Sequence, residues 1–116
     1  ALITDLDASL AAYAPEAALQ AEVRPADVTF RQLLSHTGGM DNPGIGFRLA
    51  FSGQHDPAKL WSLLAACEPN PRAPPGRFEY TNLGYNIATI LTDRKLGVRW
   101  QDLLEREIFA PAGMMR

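Results

Sequence analysis

The chain has 116 residues, of which 47% are hydrophobic and 21% charged, and a formal net charge of −2. This is a globular composition at the length of one ordinary domain. Its slight acidity excludes the basic footprint of a nucleic-acid or anionic-membrane binder, and no apolar run approaches the ~20 residues of a membrane span. The opening residues ALITDLDASL lack the basic-then-apolar layout of a signal peptide, so no compartment follows from them. Cys67 is the single cysteine, which rules out an internal disulfide, and no Cys/His cluster has metal-ligand spacing. Following Trp61, Leu63 and Leu64, Cys67 reads as a small buried hydrophobe rather than a reactive thiol.

The first predicted helix runs from Asp7 to Ala14, with Asp7 as N-cap and Pro15 as its stop. Ala-rich sequence continues to Glu22 between Pro15 and Pro25, but its apolar period is poor and it reads as loop. Thr29-Phe30-Arg31-Gln32 has the Thr-x-x-Gln spacing of a capping box. It opens a helix to about His36, stopped by Gly38-Gly39, one of which can adopt the left-handed conformation. Met40 to Gly53 is punctuated by Asn42-Pro43-Gly44 and Gly46 and is expected to be a long irregular connection, with Asp41 and Asn42 as candidates to line a cleft. Asp56-Pro57 restarts a helix, Asp as N-cap and Pro at the first position, with Leu60, Trp61, Leu63, Leu64 and Cys67 on its apolar face. Glu68 to Pro75 holds four prolines and excludes regular helix. A helix after Asn82 should end near Leu96 at Gly97, and a last one, marked by Trp100, Leu103, Leu104 and Ile108, at Pro111. Trp61 and Trp100 are read as core anchors, and His55 as a solvated loop residue. Alternation at period two is absent, so at most a short strand or two is expected.

The most constrained stretch runs from Pro74 to Leu91, PPGRFEYTNLGYNIATIL. Pro75-Gly76 marks a turn, since Pro presets the first turn residue and Gly accepts a positive φ at the second. Beyond it Leu83, Ile87, Ile90 and Leu91 fall on one helix face. Tyr80 and Asn82 therefore lie where an extended segment becomes a buried helix. Taken alone, they read as a turn tyrosine and a helix N-cap rather than as catalytic groups. Gly76 and Gly84 read as backbone devices, a turn and a close helix approach.

Tyr80-x-Asn82, flanked by Pro75-Gly76 and Gly84-Tyr85, occurs with LLSHTGGM from Leu33 to Met40 and IFAPAGM from Ile108 to Met114. In order and approximate spacing these blocks resemble the serine β-lactamase-like hydrolases: class C β-lactamases, penicillin-binding DD-peptidases, D-aminopeptidases and related esterases. The resemblance implies a mainly α chain, the helical portion of an α+β β-lactamase/transpeptidase-like fold whose central antiparallel sheet lies largely outside residues 1–116. Those residues would form a single segment of the catalytic domain. It further implies cleavage of a small-molecule amide, lactam or ester through an acyl-serine intermediate, without metal or organic cofactor. Tyr80 would take part in proton transfer to and from the serine, and Asn82 would hydrogen-bond the substrate amide and help fix the lysine.

The family's Ser-x-x-Lys and Lys-Thr-Gly elements are not in the chain. Three residues after Ser9, Ser35, Ser52 and Ser62 stand Ala12, Gly38, His55 and Ala65, and neither Lys59 nor Lys95 precedes Thr-Gly. Ser35-His36 is not a nucleophile beside its base, because adjacent helical residues point about 100° apart. The resemblance makes that block structural, its polar groups tying down the helix end before the glycines. A free-standing helical binding or scaffold module derived from the same fold is the alternative. In either case the helices are expected to leave an apolar face for the rest of the domain, a second chain or self-association to cover.

Overall fold

The computed structural model describes residues 5–53 and 56–114. His55 lies outside them. The described chain is mainly helical, with one antiparallel pair of two-residue strands, as expected from the missing period-two pattern. Helices α1 (Leu10–Tyr13) and α2 (Phe30–Leu34) are followed by β1 (Met40–Asp41), α3 (Pro43–Phe47) and α4 (Pro57–Leu63). After β2 (Glu68–Pro69), α5 (Leu83–Leu96) and α6 (Trp100–Leu104) complete the order. Among the described residues no helix is long and apolar enough to cross a membrane.

The long helix α5 is the axis of the packing, in contact with α2, α3, α4 and α6. Its buried residues are Leu83, Gly84, Ile87, Ala88, Ile90 and Leu91, which include the whole apolar face seen in the sequence. Phe30 and Leu33 of α2, Ile45 of α3, and Leu60 and Leu64 of the α4 region join them in one buried cluster. The helix stops where Gly97 turns left-handed, at φ 66°, and its N–H bonds Asp93 O. Arg94 and Lys95 lie in its last turn, where positive charge suits the helix dipole. Lys95 Nζ donates to Tyr13 O at 3.0 Å and ties that end to α1.

Local signals explain most helix starts. At α2 Thr29 Oγ1 accepts from Gln32 N at 3.2 Å while Gln32 Oε1 accepts from Thr29 N at 3.0 Å, the reciprocal capping box. At α4 Asp56 Oδ1 accepts from Ala58 N, with Pro57 opening the helix. Four expectations need correction. Asp7 does not cap α1; its carboxylate takes a forked pair of bonds from Arg31, at 2.7 and 3.0 Å, and Ser9 caps instead through Ala12 N. The loop before Pro25 contains a 3₁₀ turn, Ala21–Val23. Met40 to Gly53 is not irregular: β1 pairs with β2, Met40 opposite Pro69 and Asp41 opposite Glu68, then α3 runs into a π-helical turn, Arg48–Ser52. The Asn42-Pro43 start of α3 is the same cap-and-proline signal as Asp56-Pro57, with Asn42 Oδ1 accepting from Ile45 N.

The fourth correction concerns the C-terminal residues, where α6 continues as a π-helical turn, Glu105–Phe109. Of its four apolar markers only Leu103 is buried against the rest; Trp100 is 40% and Ile108 51% exposed. Trp100 is therefore no core anchor. Trp61 is half-buried on the core, with the Arg94 guanidinium 5.2 Å from its ring centroid. Cys67 is fully buried, as its setting suggested.

Candidate active site at the head of the central helix

Tyr80-Thr81-Asn82 leads directly into α5, and three separate ties to the end of α2 hold the segment before it. Pro74 to Arg77 makes a turn closed by Arg77 N donating to Pro74 O at 3.1 Å, with Gly76 at φ 90° as the sequence required. Gly76 N donates to Thr37 O at 2.8 Å, and Glu79 N to His36 O at 3.0 Å. The imidazole Nδ1 of His36 lies 2.9 Å from Thr81 O. Two glycines let the backbones approach this closely. A Cβ on Gly39, which sits at φ 65°, would lie 2.5 Å from Pro75 N, and one on Gly84 2.2 Å from Leu33 O.

The phenol of Tyr80 donates to Asn82 Oδ1 at 3.0 Å. Asn82 has helical backbone angles, φ −70° and ψ −16°, yet its side chain bonds none of the free N–H groups at the head of α5. That task falls to Thr81, whose Oγ1 accepts from Leu83 N at 3.0 Å. With the phenol on Oδ1, the carboxamide Nδ2 retains its hydrogens for another acceptor. Both side chains are exposed, Tyr80 at 66%. The arrangement offers one acid–base group and one amide donor side by side on a backbone fixed from two elements.

Other candidates stand apart from this pair. Asn42 is 2% exposed and serves the fold: Nδ2 donates to Leu63 O at 2.8 Å and contacts Cys67 Sγ at 3.3 Å, so it joins α3 to α4 and lines no cleft. Asp41 Oδ1 accepts from Asn42 N at 2.8 Å, where β1 gives way to α3. Burial pushes the Cys67 thiol up, away from the thiolate form a nucleophile needs. Ser35 Oγ pairs with Thr37 Oγ1 at 3.0 Å, while His36 Nδ1 is engaged with Thr81, so no Ser–His dyad forms. Among the described residues no cluster of His, Cys, Asp and Glu could hold a metal ion.

One residue comes closer to the pair than its sequence position suggested. The His36 ring centroid is 4.8 Å from that of Tyr80, 5.5 Å from Tyr85 and 5.9 Å from Phe78. His36 takes the first left-handed backbone after α2, at φ 59°, and Gly39 follows at φ 65°, one of the two glycines expected there. Beneath Thr81 a cavity of about 20 Å³, bordered by Leu33, His36, Met40 and Ile87, has room for one water and no substrate. A far larger groove of about 1140 Å³ runs between α4, α5 and α6, past Trp61, Asn86, Arg94 and Trp100. Its lining is mixed, with Leu60 and Ile90 beside Asp93 and Arg99.

Comparison with known proteins gives this geometry a context. A D-stereospecific amidohydrolase from Streptomyces sp. is similar in structure, with a TM-score of 0.68 and 24% identity, over 95% of this chain and 35% of that one. At that identity the likeness establishes the fold alone. The chain thus spans about 35% of that enzyme's length. No curated protein matches the sequence. The family model described as Beta-lactamase matches residues 3–116. That span includes the Leu33 to Met40 block, Tyr80-x-Asn82 and the Ile108 to Met114 block, and by this match the chain belongs to the Beta-lactamase family.

Proposed function

We propose that residues 1–116 are a single segment, the helical part of the catalytic domain of a serine hydrolase that opens an amide, lactam or ester through an acyl-serine intermediate. The serine and lysine of a Ser-x-x-Lys helix and the Lys-Thr-Gly strand would come from sequence outside these residues. Tyr80 moves the proton between serine and leaving group, and Asn82 holds the substrate amide through Nδ2. The 3.0 Å bond between Tyr80 and Asn82, at the exposed head of α5 in a chain of this family, carries the reading. A tyrosine at its ordinary pKa of about 10 is a poor base at neutral pH, so the role requires a cation brought beside the phenol. The family's lysines would supply it.

The groove between α4, α5 and α6 fits the same reading as a surface for the rest of the domain or for a second chain. Amides with a D-configured residue are the first substrates to try, because the structurally similar enzyme is D-stereospecific. Tyr80→Phe in the full-length enzyme should lower kcat by about 10²–10⁴-fold, the range of one general acid–base group. Assays with D-amino-acid amides, a β-lactam and a simple ester would read it. Wild-type kcat/KM in the variant on every hydrolysed substrate would refute the assignment. The alternative is a binding or scaffold module derived from the same fold, without chemistry. It predicts no turnover of any of the three substrates.

A further inference from the structure

We infer that His36 is a positioning residue for the Tyr80-Asn82 pair, an inference that rests on the catalytic reading above. Thr81 O can only accept, so the 2.9 Å contact requires the proton on His36 Nδ1. Both the neutral Nδ1–H tautomer and the imidazolium meet that requirement, and the tie holds in either state. Thr81 is the residue between the two functional side chains. Its carbonyl is held by His36 and its hydroxyl by Leu83 N, so two elements fix the peptide that sets the Tyr80–Asn82 separation. The imidazole also gives the two-thirds exposed phenol ring a partner to rest on, at 4.8 Å between centroids and 43° between planes.

The backbone of His36 points the same way. A non-glycine residue at φ 59° is held in a sparsely populated region and stays there only when its surroundings over-determine it. If His36 merely ended α2, glycine would serve better at this position. What glycine lacks is the ring and its Nδ1–H. The carbonyl of His36 meanwhile accepts from Glu79 N, so main chain and side chain grip the segment on both sides of Tyr80.

The test compares His36→Gly, His36→Asn and Tyr80→Phe in the full-length enzyme. Glycine keeps the left-handed turn and loses the donor; asparagine tolerates the turn and offers Nδ2–H near the place of Nδ1. His36→Gly should fold and should lose about 10–100-fold in kcat, with KM raised as well because Asn82 is displaced together with Tyr80. His36→Asn should recover at least half of that loss on a logarithmic scale. Wild-type kcat in His36→Gly, or an asparagine variant no better than glycine, would overturn the inference. Imidazole ¹⁵N chemical shifts in the unmutated protein supply a reading that needs neither activity nor a stable variant. Protonated Nδ1 is expected, and a neutral ring with its proton on Nε2 would also overturn it. If Tyr80→Phe leaves kcat unchanged, the catalytic reading fails, while the ¹⁵N result still decides whether His36 holds Thr81.

Discussion

Substituting Gly84 by alanine sets two opposing effects against each other, and the structure decides which wins. In an unobstructed helix interior the change should stabilise by about 0.5–1 kcal/mol, because glycine has more backbone freedom to lose. Here the new Cβ would stand 2.2 Å from Leu33 O, 2.9 Å from Leu33 C and 3.3 Å from Leu33 Cα. These are backbone atoms of α2, and no rotamer change can clear them. Reaching ordinary contact distance needs the two helices to part by roughly 1 Å. Forced repacking of that kind costs about 1–3 kcal/mol. It would also stretch the 2.9 Å contact between His36 and Thr81 beyond useful length, removing a further bond worth about 0.5–1.5 kcal/mol. The net expectation is a loss of about 0.5–4 kcal/mol, opposite in sign to the propensity argument. Denaturant unfolding at unchanged m value would measure it as a lower midpoint. A Gly84→Ala variant as stable as the wild type, or more so, would show that α2 and α5 do not pack backbone to backbone at Leu33.

Asp93, near the end of α5, leaves Oδ1 buried without a partner, and burial raises its pKa above 3.8 against the opposing effects of the Trp100 N–H and Arg99. Between 3.8 and the raised value the folded state holds a proton that the unfolded chain has lost, so stability falls as pH rises through that window. Asp93→Asn should abolish this contribution. The difference between wild-type and variant stability, followed from acid to neutrality, isolates it from Asp7 and Asp102, whose lowered pKa values give the opposite slope. A difference that does not change with pH would refute it. Cys67, fully buried and held mainly as thiol, should resist an aromatic disulfide reagent in the native protein and react fast in denaturant. Rapid stoichiometric labelling without denaturant would contradict its place in the core.

The Thr29–Gln32 capping box, the Asp56-Pro57 start of α4, the Gly97 stop and the turn at Gly76 were legible because each is settled within four residues of chain. Hydrogen-bond partners three positions apart are present in the sequence itself. The same reasoning was available at Asn42-Pro43, where Gly44 and Gly46 outweighed it in a reading by composition. There Asn42 caps the helix through Ile45 N, and its Nδ2 is held by Leu63 O and Cys67 Sγ more than 20 residues away, contacts that no local pattern shows. Asp7 shows the converse: a good N-cap by type, it is drawn off by Arg31, and Ser9 takes over.

The sequence by itself determined the helical class, the starts of α2 and α4, the apolar face of α5, and Tyr80 and Asn82 as the polar pair at its head. Only the tertiary structure decided how that pair is held. A residue 45 positions from Thr81 supplies the bond to its carbonyl, and His36 takes a left-handed backbone after α2 ahead of the one at Gly39. Hydrogen bonds and ring contacts at that separation depend on how α2 and α5 approach, which Gly84 permits at Leu33. The exposure of Trp100 has the same origin, since a helical apolar period states that a residue can be buried and not that another element lies there to cover it.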